Sequence, residues 1–206
     1  MRKQLEILDL TIDDFDESGI SAFSFVDRPA TKELFVALGE EDEDLDSVEL
    51  KTMDEEKRLV VGLALVPKKP IYRRKGAFEY FIRVGAETIR KCSEKYLKQL
   101  KLHNVTEEHQ TMLVDGVYLA ESWIVEDSEK DKTAIYGLNA PVGAWAVSFR
   151  VENPVVWSKI KDGTYRGFSI EGQFKHNRIQ FAEEMEFTQE EMNAYIAINR
   201  MLDEAN

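Results

Sequence analysis

The sequence has few of the residues that build disulfides and metal sites. It contains one cysteine, Cys92, and three histidines in 206 residues. A single cysteine excludes an intramolecular disulfide framework, and a lone thiol is typical of a reducing compartment. The sequence also shows no Cys/His cluster, no paired-carboxylate spacing and no glycine-rich phosphate loop. We therefore expect no metal ion and no cofactor, and we expect Cys92 to be an inert, partly buried thiol.

Long apolar runs and an excess of positive charge are also missing. No run approaches the roughly 18 apolar residues that a membrane-spanning helix needs, and the N-terminal residues 1–4 are not followed by an apolar signal core. Acidic residues number 39 against 27 basic ones, for a net charge of −12. Because nucleic-acid binding needs a basic surface, we expect neither nucleic acid nor a membrane as partner. The interpretation is a soluble, cytoplasmic protein.

The chain does contain many strand-like segments. One helical segment, Ala86 to Leu100, carries apolar residues at helical spacing and charged residues opposite them. Strands and helices do not alternate regularly, which favours an α+β protein with a mixed, mostly antiparallel barrel or sheet. Six of the predicted strands are Gly19 to Val26, Leu59 to Val66, Phe78 to Val84, Val117 to Val125, Gly143 to Val151, and the segment that begins at Gly167.

Composition predicts four parts along the chain. Residues 1–39 form an N-terminal arm with short strands, and residues 40–57 form an acidic linker with six acidic residues in the seven positions 40–46. Residues 58–187 form the main β-rich domain. Residues 188–206 form a C-terminal helix, because Thr188 and Glu191 have the spacing of a capping box.

Two segments can supply nucleophilic chemistry. In Gly167-Phe168-Ser169-Ile170-Glu171-Gly172, a serine lies on a strand bracketed by glycines, where a substrate backbone can approach closely. The earlier segment Thr106-Glu107-Glu108-His109 carries a histidine. A serine and a histidine within hydrogen-bond reach are the minimum for nucleophilic acyl transfer. His103 lies in the same polar segment as His109 and is the alternative candidate for the general base.

Several blocks occur in an order that resembles a known family. The chain resembles the phage serine proteases of the XkdF type, a branch of the caudoviral prohead proteases, from about Val26 to Gly172. The blocks are Val26-Asp27-Arg28-Pro29-Ala30, Gly62-Leu63-Ala64-Leu65-Val66-Pro67, Ile71-Tyr72-Arg73, Glu108-His109, Glu121-Ser122-Trp123-Ile124-Val125, Gly143-Ala144-Trp145 and the Gly167 to Gly172 segment.

The resemblance implies a fold, an activity and partners. The fold is expected to be similar to that of herpesvirus assemblins, a mostly antiparallel β-barrel flanked by helices. The activity is that of a serine endopeptidase of capsid maturation, with Ser169 as nucleophile and His109 as general base. Its substrates are the scaffold protein and the capsid protein, inside the procapsid in the host cytoplasm. Because assemblin relatives dimerise, a homodimer is also expected by analogy.

The third catalytic residue stays open between several groups. Assemblin relatives use a histidine there, and other prohead proteases an acid. Glu121 follows His109 on the next predicted strand and could orient the imidazole. His176 is the only histidine after the serine. Glu171 shares a strand face with Ser169, and we expect it to be structural or substrate-facing.

Two other functions compete with the peptidase. The chain could be a catalytically inactive protein of protease fold that serves as a structural or scaffold-associated head component. An unrelated β-rich hydrolase is disfavoured, because Glu171 stands where a Gly-x-Ser-x-Gly elbow has its second glycine. Cleavage-site preference cannot be read from the sequence. Self-cleavage within the acidic linker also stays open.

Overall fold

The computed structural model describes residues 6–27, 36–38, 57–75, 78–138 and 140–178. Most of the predicted acidic linker and all of the predicted C-terminal helix lie outside these residues. The strands are β1 (Glu6–Thr11), β2 (Gly19–Val26), β3 (Val36–Leu38), β4 (Leu59–Leu65), β5 (Ile71–Lys75), β6 (Phe78–Val84), β7 (Val105–Glu107), β8 (Val117–Ile124), β9 (Trp145–Val151), β10 (Gly167–Gln173) and β11 (Lys175–Arg178). The helices are α1 (Ala86–Lys98), α2 (Lys132–Ile135) and α3 (Pro154–Lys161).

The strands form three sheets. Two contain four strands, in the orders β11-β1-β6-β5 and β3-β4-β9-β8, and the third has the order β10-β2-β7. Pairing is antiparallel except for β1 with β6 and β2 with β7, which are parallel. The predicted mostly antiparallel α+β architecture is therefore confirmed in its coarse form, with mixed sheets and few helices.

The predicted closed barrel is wrong. Each of the three sheets has two edge strands among the described residues, and no hydrogen-bonded ladder joins one sheet to another. Aromatic rings lie between the sheets: Phe168 of β10 contacts Phe149 of β9, with ring centroids 5.1 Å apart. Side chains of this size hold sheets at face-to-face spacing, about twice the distance between hydrogen-bonded strands. The sheets therefore pack against each other and do not close through backbone hydrogen bonds.

The first two strands belong to the body of the fold. β1 pairs with β6 and β11, and β2 lies between β10 and β7. Residues of the predicted N-terminal arm thus form ladders with strands of the predicted main domain. β11 pairs antiparallel with β1. Only Phe174 separates β10 from β11, so the chain passes directly from one sheet to another.

The core is built around Phe23 of β2. Its ring is fully buried and packs edge-on against Tyr96 of α1, Trp145 and Phe149, with centroid distances of 5.3, 5.4 and 5.1 Å. Helix α1 also buries Cys92, and burial raises the pKa of the Cys92 thiol to about 12. A thiol that is protonated at neutral pH is a poor nucleophile, in keeping with the expected inert cysteine.

Replacing Phe23 by alanine should lower the free energy of unfolding by about 3–5 kcal/mol, the usual cost of truncating a buried phenylalanine. For a chain of this size each kcal/mol corresponds to roughly 2–4 °C in Tm. Thermal and denaturant unfolding followed by circular dichroism would measure both quantities. Phe15, whose side chain is 99% exposed, gives the matched control: Phe15→Ala should change stability by less than about 0.5 kcal/mol. Equal losses in the two variants would contradict this core.

Candidate functional site

A row of hydroxyl side chains crosses the three-stranded sheet. Ser169 of β10 lies opposite Ser24 of β2, and Ser24 lies opposite Thr106 of β7. Residues directly opposite each other in a sheet project to the same face. All three residues are buried. The neighbours Phe168 and Phe25 alternate to the other face, where they join the core. The alternating pattern thus gives this sheet one apolar face and one polar face.

His109 lies in the turn that follows β7, on the polar side of the sheet. Its backbone N–H donates to Ser24 Oγ at 2.8 Å, and the N–H of Glu108 donates to the Phe25 carbonyl at 3.0 Å. The Glu108 carboxylate in turn accepts from the N–H of Asp27 at 2.8 Å. Three hydrogen bonds therefore fix the turn to β2 and to the residue after it.

The backbone of this turn is strained. Glu108 and His109 have φ values of 46° and 58°, in the left-handed region that non-glycine residues seldom adopt. Such conformations cost on the order of 1–3 kcal/mol each and persist only where the surrounding structure enforces them. Here the hydrogen bonds to β2 enforce them. Two consecutive residues held this way at the expected general base make the turn a strong candidate for a functional element.

The Glu171 carboxylate contacts the imidazole of His109. Its Oε1 lies 3.4 Å from His109 Nδ1 and accepts a hydrogen bond from Thr106 Oγ1 at 2.6 Å. Glu171 is two residues from Ser169 on the same strand, so both side chains project to the polar face. The Glu171 side chain is 29% exposed and that of His109 is 46% exposed. Ser169 and Glu171 therefore project to one face of the sheet, where the carboxylate contacts the His109 imidazole; among the described residues no hydrogen bond joins Ser169 Oγ to that imidazole.

A β-bulge follows Glu171, where the register of β10 against β2 shifts. Bulges turn a strand locally and re-aim the neighbouring side chains, often beside active sites. Gly172 makes the bulge possible. A Cβ built there would overlap the carbonyl oxygen of Gly19 and lie 3.0 Å from the Ile20 Cα. The close backbone approach that we expected at the bracketing glycines is thus made by the protein's own β2.

Replacing Gly172 by alanine should therefore destabilise the fold and displace Glu171. Because the obstacle is backbone, the strands must separate, at a cost of about 1–3 kcal/mol, as in other overpacked sites. Chemical denaturation gives the stability, and the ¹⁵N-¹H spectrum reports displacement at His109 and Thr106. Gly85 is the matched control, since its Cβ would meet nothing within 4 Å. A Gly172→Ala variant as stable as Gly85→Ala would show that the tight approach is absent.

Strand β7, which precedes the His109 turn, is also anchored through the side chain of Glu107. Glu107 Oε1 accepts hydrogen bonds from Lys159 Nζ of α3 and from the Tyr165 hydroxyl, both at 2.9 Å. The hydrogen bond to Glu107 raises the pKa of the Lys159 amine, which therefore stays charged at neutral pH. Asn153 caps the N-terminus of helix α3, because its side chain accepts hydrogen bonds from the N–H groups of Val155 and Val156. The capped helix carries Lys159.

The other predicted site residues lie elsewhere. Glu121 is on β8, and its Oε1 pairs with Lys132 Nζ at 3.0 Å. His103 packs its ring against Tyr118, with centroids 5.6 Å apart. His176 is on β11 opposite Leu10, and it lines a cavity with Ser169. Within the described ranges, no hydrogen bond or ion pair joins any of the three to His109.

Two hydroxyl residues of the site are not apparent from the sequence. They are Ser24 and Thr106, although Thr106 belongs to the segment that carries His109. Both residues alternate with apolar residues along β2 and β7, which indicates the face on which they lie. The alternation does not indicate which strands are neighbours. The backbone N–H of Arg166, just before β10, donates to the Val26 carbonyl at 3.0 Å and is therefore not free to stabilise an oxyanion.

Two negative findings apply to the described residues. No group of three or more His, Cys, Asp or Glu side chains there is placed to hold a metal ion. None of the helices in the same ranges is both long and apolar enough to span a membrane.

Comparison with known proteins identifies the family of the chain. The model of the family described as "Putative phage serine protease XkdF" matches residues 47–178, more than half of the chain. The match includes His109, Ser169 and Glu171 and begins after β2, so Ser24 lies outside it. Neither a curated protein nor a solved structure matches the chain. The likeness to assemblins therefore stays a prediction.

Proposed function

Because the chain belongs to the phage serine protease family of the XkdF type, we propose that it is a serine endopeptidase built on Ser169, His109 and Glu171. The contact between His109 Nδ1 and Glu171 Oε1, on the face that carries Ser169, is the observation that supports this assignment most directly. It replaces Glu121, which pairs with Lys132, as the favoured third residue. The proposal thus gives Glu171 a catalytic role, where the sequence favoured a structural or substrate-facing one.

The proposed mechanism follows from the different roles of the two nitrogens of the His109 imidazole. A carboxylate at Nδ1 favours the tautomer protonated there, which leaves Nε2 as the acceptor for a hydroxyl proton. Ser169 Oγ attacks the scissile carbonyl carbon as His109 Nε2 takes its proton. The resulting imidazolium protonates the leaving amine, and the acyl group stays on Ser169. Water then attacks this ester with His109 again acting as base, which releases the acid and restores the serine.

The hydroxyls around Glu171 complete the proposal. Thr106 donates to Glu171 Oε1, which limits rotation of the carboxylate. Ser24 Oγ accepts a hydrogen bond from the backbone N–H of His109, which fixes the position of that residue. Ser169 Oγ itself has no hydrogen-bond partner among the described residues, which leaves it available to an imidazole and a substrate. Ser24 and Thr106 would thus act as positioning residues, because each works through another group.

The biological role proposed for this peptidase is maturation of the phage head. Its substrates would be the scaffold protein and the capsid protein, cut inside the procapsid. Family membership supports a phage serine protease, and the more specific role comes from the resemblance to prohead proteases. No metal or cofactor enters the proposed reaction.

Two measurements test the proposal together. The full chain is treated with a fluorophosphonate, which reacts with activated serines, and the labelled peptide is identified by mass spectrometry. The label should fall on Ser169, and protein that is denatured before the reagent is added should not be labelled. The chain is also co-expressed with the scaffold and capsid proteins of the same phage, and shortened products are sought. Labelling at Ser169 with processing supports the peptidase. Neither label nor processing would favour a structural head component.

A further inference from the structure

A cavity adjoins Ser169 where strands of all three sheets come together. Its volume is about 210 Å³. Strands β1, β4, β5, β6, β10 and β11 all contribute residues to its wall. Ser169 is one of these residues, so the cavity is continuous with the proposed nucleophile.

The wall of the cavity is mainly apolar. Two residues in it, Arg73 and His176, can carry positive charge, and no acidic residue lines it. The deepest apolar positions are buried members of the core. They include Leu10, Leu65, Ile71, Ile82, Val84 and Phe168.

The size of the cavity suits one large apolar side chain. An apolar cavity of about 150 Å³ in a protein core takes up benzene, so 210 Å³ has room for the side chain of leucine or phenylalanine. In an attack geometry, Ser169 Oγ must lie about 3–3.5 Å from the scissile carbonyl carbon. The side chain nearest to that carbon is that of the residue supplying the carbonyl, and a cavity continuous with Ser169 is where it can go.

We propose that this cavity receives the side chain of the substrate residue whose carbonyl Ser169 attacks, and that it selects large apolar residues there. The inference rests on the proposed peptidase function and adds its substrate class. Each methylene removed from such a side chain should lower kcat/KM by about 10-fold or more. A lysine at the same position should be cleaved at least about 100-fold more slowly than leucine, because its charge would be buried beside Arg73 in a wall that has no acidic residue.

A peptide library derived from a whole proteome tests the preference without assuming a substrate. Wild-type protein is incubated with the library, and the cut bonds are sequenced by mass spectrometry. Leucine, phenylalanine and similar residues should dominate the position before the cut. Cleavage with a charged residue preferred there, or with no preference, would overturn the cavity proposal and leave the peptidase standing.

Variants of the wall test whether this cavity carries the selectivity. Ala64 lines it, so Ala64→Leu should narrow it and shift the preference from phenylalanine towards alanine. Phe174→Ala should widen it and extend the preference to tryptophan, which is larger than phenylalanine, whereas Tyr80→Ala should keep the wild-type preference. Tyr80 is the matched control, because it is also a half-buried aromatic on the core but is not part of the wall. If Ala64→Leu fails to fold, Phe174→Ala against Tyr80→Ala still gives an answer. An identical preference in Phe174→Ala and Tyr80→Ala would overturn the proposal.

A binding measurement separates failure of the cavity from failure of the enzyme. N-acetylated, amidated phenylalanine, leucine, alanine and lysine are titrated into wild-type protein and into Ser169→Ala, and binding is followed by NMR. Phenylalanine and leucine should bind at least about 10-fold more tightly than the lysine probe and perturb signals of the wall. Such binding without any peptide cleavage would refute the peptidase but keep an apolar site. Equal binding of all four probes would overturn the cavity.

Discussion

Replacing Ser169 by alanine should reduce kcat for cleavage of the scaffold protein by about 10⁶-fold, the loss seen when a serine peptidase loses its nucleophile. The reason is that the two other hydroxyls in the row across the three-stranded sheet are already engaged in hydrogen bonds. Ser24 is fully buried and accepts the His109 N–H, and Thr106 donates to Glu171. KM should stay nearly constant, since a methyl group in place of CH₂OH leaves the substrate's contacts in place. Single-turnover cleavage with purified proteins gives both constants.

The control for this variant is Ser158→Ala. Ser158 is an exposed serine on α3, so its loss should change kcat by less than about twofold. Unfolding curves should show both variants as stable as the parent protein. Undiminished cleavage by Ser169→Ala would remove the proposed nucleophile, and with it the reaction scheme.

Local structure was predictable where the pattern along the chain is strong. The bounds predicted for β2 and β6 are those observed, and α1 begins at the predicted Ala86. These segments are long and their apolar residues keep one period, so neighbouring residues alone define them. β7 has three residues and β5 carries Arg73, Arg74 and Lys75. Strands this short or this charged form because they pair with neighbouring strands, β5 with β6 and β7 with β2. Their local sequence pattern therefore gives little indication of a strand.

The arrangement of the strands depends on contacts that the sequence does not display. Closure of a barrel would need a further ladder between edge strands, whereas large rings such as Phe149 and Phe168 fill the space between sheets. An apolar strand looks the same whether it closes a barrel or packs face to face. The pairing of β1 with β11 similarly joins residues at opposite ends of the described chain.

The carboxylate that contacts His109 could not be identified from the sequence either, because this too depends on which strands pair. Strand β8 follows His109 in sequence, which made Glu121 attractive, but β8 lies in a different sheet from the histidine. Glu171 is far from His109 in sequence and comes close only because β2 joins β10 to β7. Alternation correctly placed Glu171 on the face of Ser169. What it could not supply was the parallel pairing of β2 with β7, which places Thr106 and the turn beside that face.

Exchanging Glu171 for glutamine should lower kcat by about 10⁴-fold, comparable to the loss when the carboxylate of a serine protease triad becomes an amide. A glutamine keeps the size of the side chain but can present an N–H to His109 Nδ1. That favours the tautomer with its proton on Nε2, which then cannot accept the proton of Ser169. A structural role for Glu171 would reduce stability instead, so unfolding must be measured beside kcat.

The matched variant is Glu121→Gln, which makes the same exchange at the other candidate. Its carboxylate pairs with Lys132 at the surface, so kcat should change by less than about twofold and stability by less than about 1 kcal/mol. Thr106→Val removes the donor to Glu171 and should fall between the two, because the carboxylate stays but is less well oriented. Equal kcat losses at positions 121 and 171 would reject both assignments. A large loss for Glu121→Gln alone would return the catalytic role to β8 and require His109 to move towards it during the reaction.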